Sequence, residues 1–596
     1  YRAGIDPENS TIRDINSYLY TDPDNTKAEP ISILPIGGIY DLTEYKLLST
    51  DFRGTISYNA DLGKNGDHII SLFAGAEGNM SDRQYTWFRG WGYQYNNGGV
   101  PFSDYKLFKQ SQEENSNYFA NEFTYYRNLA FFGMATYSYQ GRYTINGTIR
   151  YEGTNKLGKS RSARWLPTWN VSGAWNAHEE RWWAPTFGNA WTYASLKASY
   201  SLTADRGPSN VTNSLAVFQS YSPYRPSTVA SETGIQLADL ENSELTYEKK
   251  HELNIGVAFG FVDNRINLEF DWYKRNNYDL IGFVQTMGVG GQTTKLANDA
   301  TMESTGVEFT ISTVNFKRKN FTWTTDWIFG WATNKITKLD SYSEVYELVN
   351  GYGRLQGYPV GALFSIPFAG LTEEGLPTFY GDAQHTAENI IGPSNYGDLN
   401  FQEYDPEYLK FLKYEGSIDP TITGSFGNTF GFLENSLKVN VYFTYSFGGV
   451  VRLDPLCYVY SSQYNDLTAS MKEMKNRWMV PGDEAHTSIP AIATTRQYSS
   501  VENLSSAYSA YNYSDQRVAK SDFIRLKELS VSYDLPAKYF EGQKGVSSFT
   551  VKLSAQNLWL AYADKKLNGR DPEFYNTGGV SSPNPRQFTL TLKLGL

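Results

Sequence analysis

The last stretch of the chain, "RQFTLTLKLGL" (586–596), alternates strictly between apolar residues and polar or small ones. The apolar positions are Phe588, Leu590, Leu592, Leu594 and Leu596, and the positions between them are Thr589, Thr591, Lys593 and Gly595. Successive side chains of a β-strand point to opposite faces. The stretch therefore predicts a strand with one apolar and one polar face.

The same period of two recurs along the chain, for example in "ELNIGVAF" (252–259), "RINLEFDWY" (265–273) and "SLKVNVYFTY" (436–445). Helical periodicity is almost absent, so the pattern predicts an all-β fold. We predict about fifteen strands, near 50–60, 67–79, 119–138, 142–153, 163–177, 190–203, 247–259, 265–278, 303–314, 320–334, 420–431, 436–446, 519–535, 547–558 and 586–596.

Short and long connections mostly alternate between these strands. The long ones fall at about 80–118, 204–246, 335–418, 447–518 and 559–585. Short periplasmic turns at one end and long extracellular loops at the other are typical of a transmembrane antiparallel β-barrel. The alternative is a secreted all-β glycan-binding protein, although the chain has no repeat like that of a propeller. Because bacterial single-chain barrels have even strand numbers, the odd count implies either that a strand is miscounted or that N-terminal strands are missing from this chain.

Composition excludes several other classes of function. The chain has 596 residues, a net charge of −10 and 16% aromatic residues, and its one cysteine is Cys457. An acidic chain without a basic arm argues against nucleic acid as a partner. A lone cysteine rules out an internal disulfide and a cysteine-based zinc site. We expect no catalytic residues, no metal ligands and no cofactor.

The most suggestive binding stretch is "RQYTWFRGWGYQYNNGG" (83–99). Its candidate substrate-binding residues are Arg83, Trp87, Arg89, Trp91, Tyr93, Tyr95 and Asn96. Aromatic faces stack on sugar rings or peptide side chains, and Arg and Asn supply directional hydrogen bonds. The alternative is that these aromatic residues only pack a large extracellular loop against its neighbours.

The chain resembles the SusC/RagA-type TonB-dependent transporters of Bacteroidetes over about residues 130–596, most clearly at its C-terminal end. The stretches that carry the resemblance are "SDFIRLKELSVSYDLPAKYF" (521–540), "FTVKLSAQNLWLAYADKKLNGRDPEF" (549–574) and "NPRQFTLTLKLGL" (584–596). Further similar stretches are "GYPVGALFSIPFAGL" (357–371), "GSIDPTITGSFGNTFGF" (416–432) and "NRWMVPGDE" (476–484). The chain departs from the family in ending on Leu596 rather than an aromatic residue.

The resemblance implies a twenty-two-stranded outer-membrane barrel around an N-terminal plug, of which this chain is the C-terminal barrel portion without the plug. Residues 1–49 would be a loop or partial strand region, and residues 50–596 would be barrel with long extracellular loops. It further implies TonB-dependent import of oligosaccharides or peptides, with a SusD-like lipoprotein as lid. TonB would act through the N-terminal part, outer-membrane lipid would surround the barrel, and transporter–lid pairs would form a dimer. A siderophore or cobalamin receptor on the same scaffold is the alternative.

Overall fold

The computed structural model describes residues 19–20, 27, 31–32, 38–63, 66–93, 98–99, 118–157, 164–207, 216–221, 234–242, 245–288, 293–457, 472–536, 539, 547–575 and 585–595. Fifteen strands form one antiparallel sheet in strict chain order. They are β1 Gly38–Leu62, β2 His68–Tyr93, β3 Phe119–Tyr139, β4 Tyr143–Thr154, β5 Trp165–Asn176, β6 Trp191–Asp205, β7 Glu248–Phe261, β8 Ile266–Gln285, β9 Thr294–Arg318, β10 Phe321–Leu339, β11 Ile422–Phe432, β12 Leu437–Phe447, β13 Phe523–Asp534, β14 Ser548–Ala563 and β15 Gln587–Gly595.

Each predicted strand has its counterpart in this sheet, but the first two are longer than predicted. β1 begins at Gly38, so residues 38–49 belong to a strand. β2 continues to Tyr93, so the prediction of a loop from residue 80 was wrong for residues 80–93. These residues stay extended because both neighbours pair with them, with Trp87 opposite Thr43 on one side and Ala120 on the other.

The sheet has one apolar and one polar face. Directly paired residues of neighbouring strands share a face, so the pairing carries each face across the sheet. On the apolar face Ile56 pairs with Ala74 and Tyr58 with Leu72. The apolar side chains are exposed, and Ile56 keeps 72% of its accessible surface. Exposed hydrophobic surface of this kind along most of the strands is typical of a wall that faces lipid.

The two ends of the sheet differ in the length of their connections. The short-turn end carries residues 63–67, 140–142, 177–190, 262–265, 319–320, 433–436 and 535–547. The long-loop end carries residues 94–118, 155–164, 206–247, 286–293, 340–421, 448–522 and 564–586. At the short-turn end the helix α1 (Trp183–Phe187) packs an aromatic cluster, in which the ring centroids of Trp183 and Trp191 are 4.6 Å apart. The predicted asymmetry of the connections is therefore present.

The two longest connections, 340–421 and 448–522, pack together into a unit that we call the cap. Its helices are α2 (Val345–Asn350), α3 (Thr495–Ser500) and α4 (Leu504–Asn512). Its short strands are Ala362–Ser365 with Lys413–Ser417, then Phe368–Leu371, Pro377–Tyr380 and Ile390–Ile391, and Val450–Arg452 with Val518–Lys520. Both connections supply the buried core, which includes Leu348, Phe364, Phe379 and Tyr396 from the first and Cys457, Ala507, Tyr508 and Tyr511 from the second.

The remaining elements are short. Two further pairs of strands are Leu19–Tyr20 with Ile31–Ser32 and Val217–Tyr221 with Gly234–Asp239. The 3₁₀ turns are Ala177–Glu179, Tyr396–Asp398, Tyr408–Phe411, Lys472–Asn476, Asp483–Ala485, Asp515–Arg517, Lys565–Leu567 and Pro572–Phe574. Among the described residues no helix is long and apolar enough to cross a bilayer.

Candidate functional site

Three of the predicted binding residues of β2, Arg83, Trp87 and Arg89, lie on the polar face, at the long-loop end. Arg83, Trp87, Arg89, Trp91 and Tyr93 occupy alternate positions of the strand, in the same set as Glu77 and Asn79. A regular strand places alternate residues on one face. The structure therefore brings Arg83, Trp87 and Arg89 into one row on a strand rather than in a loop, whereas the pairing with β1 shifts register between Gly90 and Tyr93.

Several members of this row are engaged by neighbouring strands. Arg89 makes two hydrogen bonds to the carboxylate of Asp41 on β1, from Nε to Oδ1 at 2.7 Å and from Nη2 to Oδ2 at 2.9 Å. The Arg89 guanidinium also lies 5.3 Å from the ring centroid of Trp87. Trp91 is buried, with Tyr118 beside it. The binding role of these side chains stays a prediction, and packing accounts for Arg89 and Trp91 in this conformation.

Tyr93 stacks on Tyr40, with ring centroids 4.9 Å apart. Tyr95 and Asn96, the other two candidates, lie outside the described residues. In the C-terminal strand β15, Phe588, Leu590, Leu592 and Leu594 pair with Ala555, Leu553, Val551 and Phe549. Leu596 also lies outside the described residues.

A half-buried arginine holds the middle of the cap together. Arg452 donates hydrogen bonds to the carbonyl oxygens of Phe364 at 2.5 Å, Ser514 at 2.7 Å and Val349 at 3.0 Å. Burial lowers the pKa of Arg452 to about 10, so the guanidinium still carries its charge at neutral pH. One side chain thus fixes the backbones of both connections that form the cap.

Cys457 lies beside this centre and is chemically quiet. Asn512, at the end of α4, accepts a hydrogen bond from the Cys457 backbone N–H at 3.1 Å and donates one to the Cys457 carbonyl at 2.6 Å. Burial raises the pKa of the Cys457 thiol to about 12. Since the thiolate is the nucleophile, a thiol of this kind is unreactive at neutral pH.

Two of the family-like stretches form ties at the long-loop end. Arg525 of β13 is buried and contacts Asp571 at 2.5 Å and Glu573 at 2.7 Å, which anchors the connection between β14 and β15 to the sheet. Arg517 contacts Glu473 at 2.5 Å, and the amide of Asn568 donates to the same carboxylate at 2.7 Å. The last long connection is therefore joined to the second connection of the cap.

The stretch "NRWMVPGDE" (476–484) is a self-contained turn in the cap. The indole N–H of Trp478 donates to Glu484 at 3.0 Å, and the backbone N–H groups of Met479 and Val480 donate to Asp483 at 2.9 and 3.0 Å. These hydrogen bonds stabilise the charged carboxylates, and they lower the pKa of Asp483 and of Glu484. Both carboxylates are therefore engaged by hydrogen bonds within this turn.

Sequence reasoning missed the partners that these residues find across the chain. Arg452 meets carbonyls of residues 349, 364 and 514, and Arg525 meets Asp571, with no local pattern to mark either set. The only available signal was the family resemblance. Its stretches contain Arg525, Asp571 and Glu573 but do not show that these residues touch. The described part of the chain holds no group of three or more His, Cys, Asp or Glu side chains that could bind a metal ion.

Comparison with known proteins gives a consistent class. The chain matches no protein-family model. It is 25% identical over 493 residues to TonB-dependent receptor P3 of Formosa agariphila, covering 78% of this chain and 45% of the receptor. It is 24% identical over 488 residues to TonB-dependent receptor SusC of Bacteroides thetaiotaomicron, covering 78% of this chain and 43% of SusC. The chain thus spans about half the length of the relatives it matches.

A solved structure extends the likeness to the fold. The RagAB peptide importer in its closed-closed state superposes with a TM-score of 0.73 at 21% identity, covering 94% of this chain and 56% of that chain. The RagAB peptide transporter matches with a TM-score of 0.72 at 20% identity, covering 94% and 56%. The fold is therefore the transmembrane antiparallel β-barrel of the TonB-dependent transporters, as predicted.

Within that class the comparisons agree with a likeness to the SusC/RagA type. Its sequence relatives are TonB-dependent receptors, SusC among them, and its structural neighbour is the RagAB importer. The sequence resemblance that pointed to this family is confirmed.

Proposed function

We propose that this chain belongs to a transporter that imports oligosaccharides or peptides across the outer membrane with energy from TonB. The observation that carries the proposal is the wall itself. Its lipid side is apolar, its other face is lined by polar and charged side chains, and one end carries the cap. A polar passage inside an apolar shell suits a water-soluble cargo. The chemistry is binding and gating, without a catalytic step.

The relatives favour this function over the alternatives. One relative is SusC, and the similar solved structure is described as a peptide importer. We further propose that a SusD-like lipoprotein covers the long-loop end and that TonB acts through a part of the protein outside this sequence. A dimer of transporter–lid pairs fits the same scheme. A siderophore or cobalamin receptor would share the barrel and would need no lipoprotein lid.

The test is uptake by cells that carry the natural protein. Cells lacking its gene, and separately cells lacking TonB, should accumulate less of a labelled oligosaccharide or a labelled peptide than the parent strain. Uptake of a ferric siderophore serves as control and should fall only in the TonB-deficient cells. Unchanged uptake of every oligomer in the gene deletion would exclude the proposed function. Loss of siderophore uptake in that deletion would instead favour the receptor alternative.

The lid is tested separately by gentle purification in detergent. We expect a lipoprotein to co-purify with the transporter, and mass spectrometry identifies it together with any bound oligomer. A transporter that is active in uptake and yet purifies alone under cross-linking would contradict the lid. A protein that stays folded and monodisperse without detergent would contradict the barrel and favour a secreted glycan-binding protein.

A further inference from the structure

Three cationic side chains lie near one another at the long-loop end. Arg83 lies in the polar row of β2, opposite Thr124 of β3. Lys156 follows the end of β4, and Arg206 directly follows the end of β6. We call Arg83, Lys156 and Arg206 the cationic cluster.

Both arginines are close enough to Lys156 to repel its charge. The pKa of Lys156 is lowered, first by burial and then by repulsion from Arg206 and Arg83. The guanidinium of Arg206 lies 4.9 Å from the ring centroid of Tyr126, which is on the polar face of β3. The cluster therefore concentrates positive charge in a partly buried place, where the charge is screened less than on an open surface.

The nearby carboxylates do not neutralise the cluster. The Arg150 guanidinium forms ion pairs with the carboxylates of both Glu77 and Glu152, each with an N···O distance of 2.6 Å. Asp205 accepts a hydrogen bond from the backbone N–H of Gly207 at 3.0 Å. Glu122 lies two residues from Thr124 on the same face and forms no ion pair with Arg83. Among the residues that the structure describes, no member of the cluster has an ion-pair partner.

A buried hydroxyl group beside the cluster also lacks a partner. Tyr247 keeps only 4% of its accessible surface, and its hydroxyl has no hydrogen-bond partner in the described part of the chain. Burial raises the pKa of Tyr247. The negative charge of Glu152 raises this pKa as well, and the positive charge of Arg206 lowers it. Buried polar groups are nearly always paired, so an unpaired hydroxyl at this place is an independent sign that a ligand completes the site.

We infer that the cationic cluster binds a carboxylate carried by the oligomer that passes through the barrel. Guanidinium groups match the planar geometry of a carboxylate, and an anion between the three charges would remove their mutual repulsion. The inference rests on the proposed function and adds the charge of the cargo to it. Uronate units of an oligosaccharide and acidic residues of a peptide both offer this group.

The test measures binding to the natural protein, purified in detergent with whatever lid accompanies it. Calorimetry compares an oligogalacturonate with its methyl ester, and a Glu-rich peptide with its Gln counterpart. We expect one carboxylate oligomer to bind more tightly than its neutral counterpart. The pair that shows the difference tells whether the carboxylate comes from an oligosaccharide or from a peptide. Replacing Arg83 and Lys156 together by Gln should weaken that binding about tenfold and leave the neutral oligomer unaffected.

A matched variant controls for the loss of two positive charges. Lys317→Gln with Lys319→Gln removes two charges at the short-turn end and should leave binding unchanged. Tyr247→Phe should weaken carboxylate binding without lowering thermal stability, since it removes only a hydroxyl that has no partner in the structure. Higher salt should weaken the interaction in the parent protein.

Equal binding of charged and neutral oligomers, or unchanged carboxylate binding in the Arg83 and Lys156 variant, would overturn the inference. So would a variant that loses thermal stability without ligand and keeps its carboxylate affinity, because the cluster would then pair with another part of the protein. None of these outcomes bears on the proposed import function. That function is tested independently by the uptake of neutral oligomers in gene-deleted cells.

Discussion

At the scale of single residues, buried and half-buried arginines at the long-loop end act mainly as structural ties. Arg452 joins three backbone carbonyls within the cap, and Arg525 joins two carboxylates of the last long connection. A buried charge is stable only when it is hydrogen-bonded, and both side chains meet that condition. Arg83 differs from them, since it has no such partner among the described residues.

Arg452→Leu should loosen the cap without disturbing the sheet. The change leaves three buried carbonyls without their donor, which we expect to cost about 3 kcal/mol of local stability. Hydrogen exchange read by mass spectrometry should show faster exchange at residues 345–365 and 504–518 and no change in β7–β9. Arg496→Leu, an exposed substitution in α3, is the control. Equal exchange in both variants would show that Arg452 is dispensable for the cap.

At the scale of elements, a strand of this sheet is defined by which of its two faces each residue joins. In β15, Leu592 pairs with Val551 and Thr591 pairs with Lys552. The neighbouring positions therefore point to opposite sides of the wall. Because the period is two, a single-residue change of register would place every side chain of the strand on the wrong face.

Leu592→Arg and Thr591→Arg form a matched pair that tests this assignment. An arginine on the lipid face near the middle of the bilayer costs about 2–4 kcal/mol, whereas the polar face tolerates it. Unfolding by guanidinium in lipid vesicles should therefore show a large loss of stability for Leu592→Arg only. If Thr591→Arg were the more damaging of the two, the faces of β15 would be reversed.

At the scale of the whole molecule, the cap is one cooperative body made from two separate connections. Leu348 from the first connection and Ala507 from the second belong to the same buried core. A large-to-small change in such a core removes packing that both connections share. The cap and the wall meet at Asp299 of β9, which accepts hydrogen bonds from the backbone and side chain of Ser341 at 2.8 Å.

Leu348→Ala should therefore expose Cys457, although the two residues come from different connections. We expect a loss of about 2–5 kcal/mol in the cap and faster alkylation of Cys457 by a maleimide at pH 7. In the parent protein the raised pKa and the burial of this thiol should keep the reaction slow. Leu433→Ala, at an exposed position of the short-turn end, is the control. Unchanged labelling in Leu348→Ala would mean that the two connections unfold independently.

The sequence by itself was sufficient for the all-β class, for the fifteen strands and for the unequal ends, because each depends on local period and on the length of connections. The sequence-based prediction failed at residues 80–93, where a run of aromatic and polar residues suggested a loop. There, pairing with β1 and β3 keeps the chain extended, and a pairing partner is not a local property.

Only the tertiary structure decided which side chains meet. The sequence offered Arg83 and Arg89 together as binding residues, and that role stays a prediction; the structure adds that Arg89 contacts Asp41, whereas Arg83 lies near Lys156. The core of the cap was equally invisible, since Leu348 and Tyr508 are far apart in sequence. Strand faces follow from a period of two within one segment. Charge compensation and packing follow from distances in space, and those exist only once the sheet and the cap have formed.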